Sequence, residues 1–251
     1  MWLKLLPLKR PIRLRRTMDA EYSFSLTTFA PSGKLLQIEY ALKAVDNGNT
    51  ALGVKAKNGV VIATEKILTT LHDEESFQKV SHLFSNIGVV YAGMPADFRM
   101  LLRKGQKEAE AYYKTYREPI PIKQMVSKTA TIMQEFTQQG GVRPCGVSLL
   151  VAGFDDDGPS LHQVDPSGTS FAWKASAIGK NHVIANTFLE KRYNDDIELE
   201  DAIHTALLTL GECMDEAITE KNIEVGIVSA KDMTFRVLSE QELKDYISET
   251  A

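Results

Sequence analysis

The stretch between residues 51 and 64 constrains the fold more than any other part of the sequence. It reads Ala-Leu-Gly-Val-Lys-Ala, then Lys57-Asn58-Gly59, then Val60-Val-Ile-Ala-Thr64. An Asn-Gly pair between two β-rich runs predicts a tight hairpin, because both central residues of the favoured turn take positive φ. The same grammar returns later. Residues 147–154 are a buried strand, Asp155-Asp-Asp-Gly158-Pro159 a turn and residues 160–164 the hairpin mate. Asp165-Pro-Ser-Gly168 is a second turn before the extended run 170–175, and residues 87–92, 223–228 and 235–238 read as further strands. Tight hairpins make antiparallel sheets.

Between the hairpins the period changes from two to 3.6. After the turn Ala30-Pro31-Ser32-Gly33, Ser32 is placed to cap a helix that runs to Asp46 and stops at Asn47-Gly48, with a stripe of Leu35, Ile38, Leu42 and Val45. Residues 96–116 and 122–138 form two long helical patterns, ended by Pro119 and Pro121 and by Gly140-Gly141. A short helix over 188–193, a longer one over 199–214 and a Ser239-capped helix through Tyr246 complete the pattern. Amphipathic helices need a sheet face to cover, so the expected fold is α+β: one domain of stacked antiparallel sheets with outer helices.

Charge separates the chain into unlike parts. Residues 1–18 carry six basic side chains (Lys4, Lys9, Arg10, Arg13, Arg15, Arg16) and no acid. The rest holds 23 basic groups against 33 acidic ones, a balance of −10. That is a poor surface for phosphate, so nucleic acid is not an expected partner. The basic start is acid-free and Arg-rich, as organelle transit peptides are, but it is short, lacks serine and is broken by Pro7 and Pro11; the preferred reading is an upstream-extended start with Met18 as the initiator, and 1–18 is expected to lie outside the fold. No apolar run approaches the roughly 18–20 residues of a membrane span. Two cysteines 68 residues apart and five scattered histidines supply no metal-ligand pattern. Neither a metal nor a cofactor is expected.

Local chemistry is sparse. Gly168-Thr-Ser170-Phe-Ala172 resembles a nucleophile elbow but lacks the last glycine and a following helix. The glycines at 140, 141 and 146 lack the ending of a phosphate loop, and Arg143-Pro144 reads as a fixed connection into a strand. Cys145 reads as a buried thiol rather than a nucleophile, and Asp155–Asp157 as a turn tip rather than a calcium site. Glu198, Glu200 and Asp201 sit where carboxylates favour a helix N-terminus. On these residues alone the chain is a binding or structural component.

Tyr22-Ser-Phe-Ser-Leu-Thr-Thr-Phe-Ala-Pro-Ser-Gly-Lys-Leu-Leu-Gln-Ile-Glu-Tyr-Ala resembles the N-terminal signature of proteasome α-type subunits. Gly140-Gly-Val-Arg-Pro-Cys-Gly-Val-Ser-Leu-Leu, Asp165-Pro-Ser-Gly168 and Leu189-Glu-Lys-Arg-Tyr193 are similar to the same family. The Tyr-Ser-Phe opening, Gln-Glu-Phe-Thr and Asn-Ile-Glu-Val-Gly-Ile look most like its α2 branch. The resemblance implies a four-layer αββα sandwich, the N-terminal-nucleophile hydrolase fold, with two five-stranded antiparallel sheets between helix layers. It divides the chain into a basic extension 1–18, a gate tail 19–31 and one domain 32–251.

The resemblance implies an architectural role: a non-catalytic wedge of a heteroheptameric ring in the 20S core particle, in the cytoplasm and nucleus. Its partners would be other α subunits, β-ring subunits and the C-terminal tails of a regulatory particle or activator, with no nucleic acid and no membrane. Tyr22, Pro31 and Tyr40 match gate-cluster positions, with Ser23 and Phe24 in the tail; Ser23 replaces the usual aspartate and Ala30 the usual serine. Gly48, Lys79 and Met94 match the pocket that holds the carboxylate of an activator tail, which is physically sensible for an ammonium beside backbone groups. The plain alternative for Lys79 is a solvated lysine after a turn.

The β-type siblings in the family are N-terminal-threonine hydrolases, whose own amine serves as base. Here Asn49 stands at the nucleophile position, Glu65 at the acidic one, and Thr50 is mid-chain, where a hydroxyl has no terminal amine to accept its proton. A β-type hydrolase is therefore the alternative that the chemistry opposes, and a free-standing binding module is the third.

Overall fold

The computed structural model describes residues 29–67, 71 and 77–250. The basic extension, most of the expected gate tail, and with it Tyr22, Ser23 and Phe24, lie outside the described residues. One sheet contains β1 (Ala51–Ala56), β2 (Gly59–Glu65), β8 (Ala175–Ile178), β9 (Ile223–Ser229) and β10 (Phe235–Val237), in the order β10-β9-β2-β1-β8. The other contains β3 (Ser81–Phe84), β4 (Ile87–Gly93), β5 (Val147–Asp155), β6 (Gly158–Val164) and β7 (Ser170–Ala172), in the order β3-β4-β5-β6-β7. Every pairing is antiparallel. The helices are α1 (Leu36–Asp46), α2 (Pro95–Tyr116), α3 (Ile122–Gln138), α4 (His182–Arg192), α5 (Leu199–Cys213) and α6 (Glu240–Thr250).

Side-chain alternation makes four layers. In β2, Val60 and Ile62 enter the core between the sheets, while Val61 and Ala63 face the helices α4, α5 and α6. In β4, Val90 and Ala92 point inward and Val89 and Tyr91 turn toward α2 and α3. Both sheets are covered on both faces, which is why their strands read as apolar runs. Helix α1 packs on β4 and β5, and its Val45 joins the core between the sheets. The expected αββα sandwich of two five-stranded sheets is the observed one.

Several local expectations change. The 51–64 hairpin is present, but Ala56 pairs with Gly59, so Lys57 and Asn58 form the turn. Neither Asn58 nor Gly59 is among the described residues with positive φ. Gly59 is needed for space instead: a Cβ there would lie 2.4 Å from the Val228 carbonyl oxygen. The Asn58 side chain caps α5, with Oδ1 accepting from the Leu199 N–H at 2.7 Å.

Ser32 does not cap α1. It sits in a turn closed by Gly33 N–H to the Ala30 carbonyl (2.8 Å), with Gly33 at φ +80, so the helix begins only at Leu36. The run 170–175 is not one strand. The Trp173 N–H donates to the Leu161 carbonyl in one sheet, and the Lys174 carbonyl accepts from the Lys55 N–H in the other. These two residues carry the chain across the sandwich. Strand β3 has no counterpart among the expected strands, and α4 begins at His182 rather than 188. Ser239 caps α6 as expected: its N–H donates to Glu242 Oε2 at 2.9 Å, and its hydroxyl accepts from the Glu242 N–H at 3.4 Å.

Candidate functional site

The polar cluster with the most perturbed ionisation lies where β1 begins and β2 ends. Ala51 pairs with Thr64, the Glu65 N–H donates to the Thr50 carbonyl at 3.1 Å, and the Thr64 hydroxyl donates to the same carbonyl at 2.9 Å. Lys79, just before β3, reaches into this corner. Its Nζ donates to Thr64 Oγ1 at 2.6 Å, to the Glu65 carbonyl at 3.2 Å and to the Asn49 carbonyl at 3.4 Å. It also stands 5.6 Å from the centre of the Tyr91 ring. Its backbone N–H donates to Glu224 Oε2 at 2.8 Å, and Glu224 lies opposite Thr64 in the β2–β9 register.

Lys79 is only 3% exposed, which overturns the solvated-lysine alternative. Burial pushes its amine down to about 7, against the opposing influence of the Glu65 and Glu224 carboxylates. Burial likewise raises the Glu224 carboxyl, although the N–H groups of Lys79 and Val80 bond to it. Desolvation dominates both groups, as it must where water is excluded and compensation is incomplete. The three acceptors of the Lys79 ammonium are neutral oxygens, and among the described residues it has no ion pair.

Close backbone packing joins this corner to the start of α2. A Cβ on Gly48 would lie 2.2 Å from the Gly93 nitrogen, and one on Gly179 would lie 2.7 Å from the Asn49 oxygen. The Gly48 carbonyl accepts from the Lys180 N–H at 2.8 Å. Met94, 41% exposed, follows Gly93, and its N–H donates to the Gly146 carbonyl at 2.9 Å. Beside it, Asp97 takes a two-pronged contact from Arg143 (2.6 and 3.0 Å) and accepts from the Gly146 N–H at 2.9 Å. Arg143 is the fixed connection expected of it. Gly48 lies in the α1–β1 connection, Lys79 reaches the Asn49 carbonyl of that connection, and Met94 follows Gly93, the residue that Gly48 packs against. Pro31 and Tyr40 are exposed, the latter at 51%, on the turn before α1 and on α1 itself.

The other candidates resolve simply. Cys145 is buried and its thiol is pushed up to about 11 by desolvation, as is Cys213. Ser170 lies in β7 paired with Val164, and the next element is strand β8 rather than a helix. Asp155 Oδ2 accepts from the Ile122 N–H and Oδ1 from the Asp157 N–H, while Asp157 pairs with Lys123 at 2.8 Å. Among the described residues no group of three or more ligating side chains could hold a metal, and no helix is long and apolar enough to cross a membrane. Helix α1, whose Val45 lies in the core between the sheets, leads through Asn49 into β1, so the residues before the nucleophile position are part of the packed fold.

Comparison with known proteins decides the family. A model described as proteasome subunit matches residues 45–228, and a second, described as the N-terminal signature of the A-type proteasome subunit, matches residues 22–44. The chain belongs to the proteasome α-type subunit family. It is 64% identical over 232 residues to the alpha type-2-A proteasome subunit of Arabidopsis thaliana, covering 92% of this chain and 98% of that protein. It is 60% identical over 230 residues to the alpha type-2 proteasome subunit of Dictyostelium discoideum (92% and 99%), and 54% over 228 to that of Drosophila melanogaster (90% and 97%). The α2-like resemblance holds, and the N-terminal signature sets aside the β-type alternative. Thr64 and Glu224 are the neighbours of Lys79 that sequence inspection missed. A lone glutamate in the buried run Ile-Glu-Val-Gly-Ile-Val was the available signal.

Proposed function

We propose that this chain is a non-catalytic α-ring subunit of the proteasome core particle, which helps to build the ring, to gate substrate entry and to dock activators. Its partners are other α subunits, β-ring subunits and activator C-terminal tails, and its compartments are cytoplasm and nucleus. The observation that carries the non-catalytic assignment is Asn49, a residue without a hydroxyl, at the nucleophile position, followed by a Thr50 that is only 1% exposed. A hydrolase of this fold needs a free amine beside its hydroxyl.

Exposed Phe171, Trp173, Val183 and Ile184 are apolar surface of the kind that subunits bury against neighbours. Gly48, Lys79 and Met94 are the positions where the family resemblance implies a pocket for a terminal carboxylate, with Lys79 as its ammonium. The assignment is tested by purifying particles through a tag on this chain. The tagged chain should co-migrate with other α and β subunits, and its intact mass should show no cleavage before Thr50. Particles carrying Thr50→Ala should hydrolyse peptides at the wild-type rate. A particle that assembles but loses a peptidase activity on that substitution would restore the hydrolase alternative.

A further inference from the structure

A surface cavity of about 350 Å³ opens at the start of β4, the whole seven-residue strand away from Gly93 and the α1–β1 connection. Pro119, Pro121, Phe154 and Met233 give it apolar walls, and Asn86, just before β4, stands among them. Asn86 is 6% exposed, and β5 fixes which way its amide faces. Its Nδ2 donates to the Phe154 carbonyl at 3.1 Å, and its backbone carbonyl accepts from the Phe154 N–H at 3.3 Å. Turning the amide over would set two acceptor oxygens against each other. Oδ1 is therefore the atom left over. Among the described residues it is the one buried side-chain nitrogen or oxygen without a hydrogen-bond partner. A buried acceptor left unmade is costly, so a donor entering this cavity meets a group that gains by receiving it.

The charge around the cavity has one sign, since its remaining lining is Glu118 and the turn 155–157. Two of these carboxylates serve the fold. Asp155 accepts from the Ile122 and Asp157 N–H groups, each at 3.1 Å, and Asp157 pairs with Lys123 at 2.8 Å. Glu118 accepts from the Tyr112 hydroxyl at 3.3 Å. The Asp156 carboxylate, exposed at the turn tip, has no ion pair among the described residues. The carboxylates do not converge as metal ligands would, because no three ligating side chains among the described residues could hold an ion. An acidic rim over apolar walls with one buried neutral acceptor suits an organic cation on an apolar stem.

We propose that this cavity binds the guanidinium of an arginine presented by a partner polypeptide. The planar fork carries five N–H donors, enough to reach Asn86 Oδ1 and the rim carboxylates together, whereas an ammonium offers three from a single point. The methylene stem lies against the proline, phenylalanine and methionine walls. An arginine within a polypeptide fits better than the free amino acid, whose own carboxylate the rim repels.

The test is methyl NMR on the full-length chain labelled at its methionine methyl groups. Met233, 50% exposed on the cavity wall, is the reporter, assigned through Met233→Leu. The probes are acetyl-Gly-Arg-Gly-amide, its lysine and uncharged citrulline analogues, and free L-arginine. The arginine tripeptide should shift the Met233 signal saturably and bind about tenfold tighter than the citrulline analogue, and more tightly than the lysine peptide or free arginine. Asn86→Ala should weaken it about tenfold. Asp156→Asn, a surface change with no fold contact to lose, should weaken it about fivefold and keeps the test decisive if Asn86→Ala does not fold. Equal binding of the arginine and citrulline peptides, no shift from any probe, or an affinity unmoved by Asp156→Asn overturns the site. Lysine binding as tightly as arginine overturns the guanidinium, and free arginine binding as tightly as the tripeptide overturns the polypeptide source.

Discussion

A methyl group at Gly48 is the sharpest test of how the α1–β1 connection is held. The Cβ of Gly48→Ala would stand 2.2 Å from the Gly93 nitrogen and 2.9 Å from its Cα. Comfortable contacts between heavy atoms begin near 3.5 Å, so the overlap exceeds about 1 Å. Nothing on the far side can rotate away, because the neighbour is backbone. Gly93 is itself confined at φ +115, with the Gly146 oxygen 2.2 Å from where its own Cβ would be. On the near side, the Lys180 N–H holds the Gly48 carbonyl at 2.8 Å. Overpacking ordinarily costs about 1–3 kcal/mol, and an overlap that only backbone can relieve belongs at the upper end, about 3 kcal/mol. For a chain of this size that corresponds to a fall in Tm of roughly 6–12 °C. Gly140→Ala is the control, since no atom lies within 4 Å of its Cβ position and its φ is not positive; it should stay within about 0.5 kcal/mol of wild type. Urea unfolding and a thermal melt of the three proteins decide the matter. A Gly48→Ala chain that melts within about 1 °C of wild type would refute the close packing.

Other outcomes follow from the same structure. Because the Lys79 amine ionises near 7 in the folded chain and near 10.5 unfolded, folding releases a proton between those values and stability should rise with pH across them. Between pH 7 and 8.5 the rise from this group is on the order of 2 kcal/mol, and Lys79→Met should abolish it in urea titrations at the two pH values. Cys145 and Cys213, both buried with thiols pushed up to about 11, should resist alkylation by iodoacetamide at pH 8 until the chain is denatured; rapid labelling of the native chain would contradict their burial. Asn58→Ala removes the cap on α5 and should cost about 1 kcal/mol in thermal unfolding.

Much of the fold was legible because its signals are local. Helices α2 and α3 matched their patterns within a residue, since long stripes ended by proline or glycine are set by the chain itself. The hairpins at 58, 156 and 166 were found from turn residues, although Asn58 and Gly59 turned out to serve a helix cap and a close carbonyl rather than a positive-φ turn. Strand β3 escaped because Ser-His-Leu-Phe is four residues with no period to detect. The start of α4 escaped because its faces are not strongly segregated: Val183 and Ile184 are exposed while Ala185 is buried. Gly48, Lys79 and Met94 could be pointed to by resemblance. Their surroundings, Thr64 from β2 and Glu224 from β9, come from positions 15 and 145 residues away from Lys79.

The sequence by itself determined most of the element types and the antiparallel hairpins, because period and turn chemistry are properties of neighbouring residues. Only the tertiary structure decided that Lys79 is a buried strut rather than a surface charge, and that Gly48 and Gly93 touch through their backbones. Burial and close approach are set by which layers stack on one another, and no residue carries that information about itself.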